Sequence, residues 1–210
     1  MTTESNDTKV TKRRYDRIAR VYDFMEGLIE RSRYSKWREI LWSKVEGSNI
    51  LEVGVGTGKN FSYYPKNSQI TAIDFSDEML KRAQGKASQQ KIKVNLRQMD
   101  VQALEFEDNT FDSVVTSFVF CSVPNPIRGL TEIERVCKSK GKVVLLEHVL
   151  SGNPVLAWLM NLVNPLVVRI MGANINRRTV ENVIKSGLVV EQITDLGWGI
   201  FKLIEARRRA

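Results

Sequence analysis

The chain has 210 residues and a mass of 24.0 kDa, which is the size of one ordinary domain. Hydrophobic residues make up 42% of it and charged residues 27%, a balance that excludes an intrinsically disordered chain. The net charge of +8 favours an anionic partner such as a nucleic acid or a membrane surface. Because there are only two cysteines and one histidine, without metal-ligand spacing, we expect neither a disulfide framework nor a metal site.

Residues 1–46 are predicted to form a helical extension with a basic, amphipathic character. Lys and Arg dominate between Lys9 and Arg20, and no apolar secretion signal accompanies them, so we expect a cytoplasmic protein with reduced thiols. A second helix is predicted over residues 35–45. The first helix of the extension is predicted over residues 11–31. Its apolar and aromatic residues, spaced three or four apart on one face, are Tyr15, Ile18, Tyr22, Met25 and Ile29.

From residue 49 onwards, short apolar runs alternate with helical segments. The runs that predict strands lie at 50–53, 69–73, 93–97, 113–117 and 142–147. The helices between them are predicted over 76–90 and 126–137. Such apolar strands separated by helices are typical of a parallel sheet that is covered on both faces. We therefore predict an α/β fold with a doubly wound sheet and right-handed crossovers over residues 47–210.

The alternation breaks after Val149, where an apolar helical insert over 153–186 is predicted. Its stretch 155–171 is too interrupted by polar residues to be a membrane span, and Pro165 is expected to split it into two helices. Two further runs, 189–194 and 199–205, favour an antiparallel hairpin that completes the sheet.

The glycines in Leu51-Glu52-Val53-Gly54-Val55-Gly56-Thr57-Gly58 are the strongest local signal. They follow a predicted strand, and alternate glycines let the backbone turn sharply beneath a ligand. The motif differs from the dinucleotide-binding pattern GxGxxG and from a phosphate-binding loop.

Two acidic residues lie at the ends of the next two predicted strands. Asp74 ends the second strand, where a carboxylate can accept hydrogen bonds from both ribose hydroxyls. Asp100 ends the third, where it could bind an exocyclic amine. The alternatives are that Asp74 caps the helix beginning near Ser76 and that Asp100 is a loop residue without a ligand.

The segments EVGVGTG, AIDFSDEML, MDVQAL, DNTFDSVVTSFVF and KVVLLEH together resemble the successive motifs of class I S-adenosylmethionine-dependent methyltransferases. The resemblance extends over about residues 15–205 and implies a seven-stranded, mostly parallel Rossmann-like sheet that binds S-adenosylmethionine. It implies that Glu52, Gly54, Gly56 and Gly58 surround the methionine end of the cofactor. It also implies that Asp74 holds the ribose, and that the adenine and cofactor are contacted by Phe75, Met79, Asp100, Val101, Thr116 and Ser117.

The leading segment 15–23, YDRIARVYD, resembles two lipid-directed groups of that superfamily. These are the bacterial phosphatidylethanolamine N-methyltransferases and the ubiquinone and menaquinone C-methyltransferases; LEVGVGTG looks closer to the first. A related group of thiol and small-molecule methyltransferases shares the glycine turn and the LLEHV strand.

An amine acceptor must lose a proton before it can attack, so a base near the acceptor would help. The candidates are His148, at the end of the fifth strand, and the phenols of Tyr15 and Tyr22. Tyr22 could instead bind the cofactor carboxylate. The alternatives are a structural histidine and tyrosines packed on a helix face.

The apolar insert gives the best indication of the substrate. It must be covered by the rest of the protein, by an acyl chain or by a bilayer. We expect a lipid or another hydrophobic acceptor, and an enzyme that lies at the anionic inner face of the membrane. Nucleic acid is not the expected partner, because the basic residues are not interleaved with aromatic ones.

Overall fold

The computed structural model describes residues 34–209, apart from the side chain of Met171. The helices there are α1 (Ser35–Ser43), α2 (Asp77–Gln90), α3 (Pro126–Val136), α4 (Pro154–Met171) and α5 (Thr179–Lys185). The strands are β1 (Asn49–Val53), β2 (Gln69–Asp74), β3 (Asn95–Gln98), β4 (Phe111–Ser117), β5 (Cys137–His148), β6 (Val189–Gly197) and β7 (Phe201–Arg207).

The seven strands form one sheet in the order β3-β2-β1-β4-β5-β7-β6. The first five are parallel, whereas β7 is antiparallel to β5 and to β6. The predicted doubly wound sheet and the final hairpin are therefore confirmed. The strand order reverses between β1 and β4, and in open α/β sheets ligands bind outside the carboxyl ends of the strands at such a point.

Helices cover both faces of the sheet, because its central strands are apolar on both sides. On one face, Trp37 and Leu41 of α1 pack in a cluster with Ile50 of β1. On the other, Leu130 of α3 and Val183 of α5 pack in a separate cluster. Helix α1 thus belongs to the core of the sheet domain, although it lies within the predicted extension 1–46.

Side-chain caps mark the beginnings of α2, α3 and α4. The Ser76 hydroxyl accepts a hydrogen bond from the Met79 amide at 3.2 Å and is the N-cap of α2. The N-cap of α2 is therefore Ser76 and not Asp74, as the alternative prediction for Asp74 had it. Helix α4 begins in the same manner, with the Asn153 side chain bonded to the amides of Val155 and Leu156.

The predicted break at Pro165 was wrong, because α4 is one continuous helix. Proline has no N–H, so the carbonyl of Asn161 loses its usual helical partner. The turn before the proline is held from outside the helix instead. The Asn161 side chain accepts a hydrogen bond from Asn176 at 2.9 Å, and the Asn164 side chain accepts one from the Ile175 amide at 2.9 Å. No helix within residues 34–209 combines the length and apolarity needed to cross a bilayer.

Candidate functional site

A cleft lies at the carboxyl ends of β1, β2, β3 and β4, beside the point where the strand order reverses. It is partly open to solvent, and the space between its walls, with the open part included, is about 740 Å³. Its walls come from the strand ends and the loops that follow them, mainly around residues 53–56, 73–75, 99–102 and 117–124. Of the predicted cofactor residues, it is lined by Gly54, Gly56, Asp74, Phe75, Met79, Asp100, Val101 and Ser117.

The three glycines of the turn after β1 have positive φ angles and different surroundings. A Cβ on Gly54 would lie 2.4 Å from a methyl of Val119, and one on Gly58 would lie 2.4 Å from the Phe61 ring. A Cβ on Gly56 would meet no atom within 4 Å. Gly54 and Gly58 are therefore required by packing inside the protein, whereas Gly56 leaves open space at the cleft. Gly58 does not line the cleft.

Asp74 joins the glycine turn to the start of α2. One carboxylate oxygen accepts a hydrogen bond from the Gly56 amide at 2.9 Å, and the other accepts one from the Ser76 amide at 2.9 Å. The side chain is 6% exposed and lines the cleft. Asp74 thus fixes the turn while presenting a carboxylate where β2 ends.

Asp100 lies in the loop after β3, two residues beyond the last strand residue, Gln98. Its carboxylate accepts hydrogen bonds from the amide and the side chain of Gln102. The side-chain oxygen Oε1 of Gln102 in turn accepts a hydrogen bond from the backbone amide of Asn125 at 2.9 Å. Gln102 therefore connects two walls of the cleft, a role that the sequence analysis missed because glutamine after a strand carries no recognisable pattern.

Thr116 and Ser117 at the end of β4 point in different directions. Ser117 lines the cleft, and its hydroxyl accepts hydrogen bonds from Arg38 and Asn60. Thr116 is fully buried and donates to Glu147 at 3.1 Å. Adjacent strand residues face opposite sides of a sheet, so these two side chains have different surroundings.

Glu52 is fully buried and does not line the cleft. One carboxylate oxygen accepts a hydrogen bond from Asn60 at 2.5 Å, and the other accepts one from the Tyr64 hydroxyl. The Arg38 guanidinium donates to the same Asn60 side chain at 2.9 Å. Burial raises the pKa of Glu52, and the bonds from Tyr64 and Asn60 oppose that rise. Glu52 is thus part of a polar network beneath the glycine turn.

His148 ends β5 beside an aromatic cluster and outside the lining of the cleft. Its ring lies 5.2 Å from that of Phe201, edge to face. Phe201 also packs on Trp37, and Phe118, which lines the cleft, packs on Tyr34. The Nδ1 atom of His148 is buried and has no hydrogen-bond partner among the described residues. Burial lowers the pKa of His148, which favours the neutral imidazole.

The predicted tyrosines Tyr15 and Tyr22 lie outside the described residues. The sequence analysis missed the loop 118–124, which forms a cleft wall although none of its residues belongs to a regular element. Its one detectable signal was position, since the loop follows the strand beside the reversal in strand order.

Comparison with known proteins identifies the family. Residues 51–145 match the family model described as a methyltransferase domain. A phosphatidylethanolamine N-methyltransferase from Cereibacter sphaeroides is 41% identical over 65% of this chain and 66% of its own length. A ubiquinone/menaquinone biosynthesis C-methyltransferase from Bdellovibrio bacteriovorus is 30% identical over 77% of this chain and 71% of its own length.

The fold matches a solved structure of geranyl diphosphate C-methyltransferase from Streptomyces coelicolor in complex with S-adenosyl-L-homocysteine. The TM-score is 0.69 at 16% identity, and the match covers 83% of this chain and 80% of that one.

The residues that line the cleft fit S-adenosylmethionine in their chemistry. The open space at Gly56 admits a ligand against the backbone. The cleft presents the Asp74 carboxylate and the apolar side chains of Met79 and Val101, as a nucleoside requires. Together with the matched relatives, this arrangement assigns the chain to the class I S-adenosylmethionine-dependent methyltransferases, which use S-adenosylmethionine as cofactor.

Proposed function

We propose that this enzyme methylates a lipid at a membrane surface, and that the acceptor is the amine of phosphatidylethanolamine. The observation that carries the proposal is the outward face of α4, which exposes a row of large apolar side chains to solvent. The relative from Cereibacter sphaeroides, named a phosphatidylethanolamine N-methyltransferase, supports the choice of acceptor.

The exposed row follows the helical repeat. Val155, Leu162, Leu166 and Ile170 are 75%, 61%, 61% and 64% exposed, and their spacing places them on one face. On the opposite side, Met160 is only 6% exposed. A continuous apolar face of this kind marks an interaction surface, because a monomeric soluble protein rarely leaves one uncovered.

The chemistry of α4 suits an interfacial helix. The helix carries no acidic residue, and its one charged residue is Arg169. Trp158 on α4 and Trp198 in the β6–β7 turn are 65% and 70% exposed, and tryptophan is favoured at the boundary between water and hydrocarbon. In this proposal the apolar face of α4 enters the acyl region, and the basic segment between Lys9 and Arg20 lies on anionic head groups. The enzyme would then be peripheral to the inner face of the membrane.

The proposed cofactor site uses the lining of the cleft. Asp74 would bind the ribose hydroxyls, and Phe75, Met79 and Val101 would contact the adenine. Asp100 would accept a hydrogen bond from the adenine amine, while the turn at Gly54 and Gly56 and the hydroxyl of Ser117 would border the methionine end. Glu52, Gly58 and Thr116 would support these groups from behind.

S-adenosylmethionine supplies an electrophilic methyl group on a sulfonium, so the protein mainly has to orient the acceptor and manage one proton. His148 is the proposed base among the described residues. Its neutral imidazole can accept the proton that the ammonium of the acceptor must lose. Tyr15 and Tyr22 remain proposed contributors to acceptor and cofactor binding.

A second candidate is C-methylation of a quinone ring. The relatives named ubiquinone/menaquinone C-methyltransferase and demethylmenaquinone methyltransferase favour it, since they match 77% and 74% of this chain. The same apolar face would serve a prenylated quinone in a bilayer. A soluble thiol or small-molecule acceptor is less consistent with the exposure of α4.

Methyl transfer into vesicles tests the proposal. Vesicles containing an anionic phospholipid are mixed with either phosphatidylethanolamine or a demethylmenaquinone, and incorporation of labelled methyl groups into each is measured. We expect labelled phosphatidylethanolamine, at a rate that rises with the anionic fraction and falls with added salt. Labelling of the quinone alone would replace the proposed acceptor, and equal activity on a detergent-free soluble acceptor would contradict action at a membrane.

A further inference from the structure

We propose that Glu147 of β5 is a positioning residue, which fixes the loop after β4 as a wall of the cofactor cleft. The inference concerns cofactor binding and is independent of the acceptor. Glu147 is fully buried and lies next to His148, but it does not line the cleft.

Three donors converge on the Glu147 carboxylate. Oε1 accepts hydrogen bonds from the Thr116 hydroxyl and the Val119 amide, each at 3.1 Å. The Phe120 amide lies 3.3 Å from Oε1 and 3.2 Å from Oε2. The carboxylate therefore clamps the end of β4 together with the first residues of the following loop.

The clamped loop reaches the cofactor cleft directly. Phe118 and Val119 line the cleft, and Phe120 is fully buried behind them. The Val119 side chain fills the space that a Cβ on Gly54 would need, so Val119 also packs against the glycine turn. A shift of the Val119 backbone would therefore move two walls of the cleft together.

A carboxylate serves this position better than an apolar residue or an amide. Buried backbone N–H groups cost free energy when they lack an acceptor, and a carboxylate offers two oxygens to several donors. A glutamine would keep one accepting oxygen, but its NH₂ group would add a donor where the other oxygen accepts from Phe120. The hydrogen bonds to the carboxylate thus favour the ionised acid.

The ionisable groups around Glu147 come from several elements. Lys202 of β7 is its register partner across the sheet, and His148 follows it on β5. Cys121 lies in the clamped loop, and the pKa of its thiol is raised to about 12 by burial and by Glu147. Arg177, which donates to the Val123 carbonyl, lies close enough to act on Cys121.

Burial raises the pKa of Glu147 to about 7, despite the opposing effect of the bonds from Val119 and Phe120. The ionised form accepts all of the bonds, and protonation converts one acceptor into a donor. Cofactor affinity should consequently fall as the pH drops through about 7, whereas the fold itself tolerates the protonated acid.

The test is the affinity for S-adenosylhomocysteine, measured by calorimetry from pH 6 to pH 8 on the full chain. In the unaltered protein we expect binding to weaken about fivefold to tenfold from pH 8 to pH 6. Glu147→Gln should bind about tenfold more weakly at pH 8, because it loses a buried hydrogen bond to a charged group, and its affinity should be independent of pH. In His148→Asn, the affinity for S-adenosylhomocysteine should depend on pH as it does in the unaltered protein. This variant therefore distinguishes titration of Glu147 from titration of His148.

Two results would overturn the proposal. One is a folded Glu147→Gln variant whose affinity at pH 8, or whose pH dependence of affinity, equals that of the unaltered protein. If such a variant has only a lower melting temperature, Glu147 contributes to stability and not to cofactor binding. The other is a flat pH profile in the unaltered protein, which decides the matter even if Glu147→Gln does not fold.

Discussion

The side chains around the cofactor cleft and those on the outward face of α4 differ in their burial and in their hydrogen bonding. Around the cleft, the polar groups of Asp74 and Glu147 are buried and hydrogen-bonded within the chain. On α4, Trp158, Leu162 and Leu166 are more than half exposed and have no comparable cover among the described residues. The polar groups of the first region thus have partners within residues 34–209, whereas the second region presents apolar side chains to solvent.

Under the proposed function, this difference separates the donor side of the reaction from the acceptor side. A site that holds a small soluble cofactor can be built from strand ends and loops of one domain. A surface for a lipid must stay apolar and accessible, although it contributes little to the stability of the isolated protein. The comparison therefore predicts that changes to one region leave the function of the other intact.

The largest expected effect is that of Gly56→Val on the cleft. The new side chain occupies the open space beside the glycine turn and forces a residue with φ of 54° to carry a branched Cβ. Calorimetry should find S-adenosylhomocysteine affinity reduced by more than about a hundredfold, since the new side chain takes space that the ligand needs and a clash of about 3 kcal/mol enters the bound state. The matched control is Gly85→Val on α2, where a Cβ also meets nothing within 4 Å; equal effects at both positions would refute the site.

Removing the apolar face of α4 tests the other region. Leu162→Ser combined with Leu166→Ser should weaken sedimentation with anionic vesicles by more than about tenfold, because each leucine contributes about 1.5–3 kcal/mol when it leaves water. Binding of S-adenosylhomocysteine should be unchanged. As a control, Ile184→Ser with Val189→Ser alters two other exposed apolar side chains, on α5 and β6. If the control pair weakens vesicle binding as much, α4 is not the specific surface.

His148 belongs to neither region, since it ends β5 and does not line the cleft, and its substitution should affect turnover alone. His148→Ala should lower kcat by about a hundredfold, the usual contribution of a general base, with little change in cofactor affinity. Because burial lowers the pKa of His148 below its usual value of 6.5, the base should be active at neutral pH. At saturating S-adenosylmethionine, kcat of the unaltered enzyme should fall only below that value, and this acidic limb should be absent from His148→Ala. An unchanged kcat would leave His148 as a structural residue.

The smallest expected effects distinguish two neighbours at the start of α2. Asp74→Ala should weaken S-adenosylhomocysteine binding by about tenfold, since the carboxylate both fixes Gly56 and faces the cleft. Ser76→Ala should instead lower the free energy of unfolding by about 1 kcal/mol, because it removes the helix cap. Both variants are measured by thermal melting and by calorimetry. The prediction is contradicted if Asp74→Ala lowers mainly the stability and Ser76→Ala lowers mainly the affinity.

The regular elements were predicted well because their patterns are local. Buried runs such as 50–53 and 113–117 match β1 and β4, and Ser76 with the following amphipathic residues predicts α2. The continuous helix through Pro165 was not predictable in this way. Its support comes from Asn174, Ile175 and Asn176, which lie beyond the helix and return to it only in the folded chain.

By itself, the sequence determined the sheet, the glycine turn and the position of Asp74, because strand periodicity and backbone freedom are properties of short segments. The tertiary structure decided which of two adjacent side chains reaches the cleft, placing Ser117 there and directing Thr116 towards Glu147. It also enclosed Glu52 in a network with Asn60 and Tyr64 and left one face of α4 exposed. These outcomes depend on which surfaces meet when distant segments pack, and no local pattern encodes that.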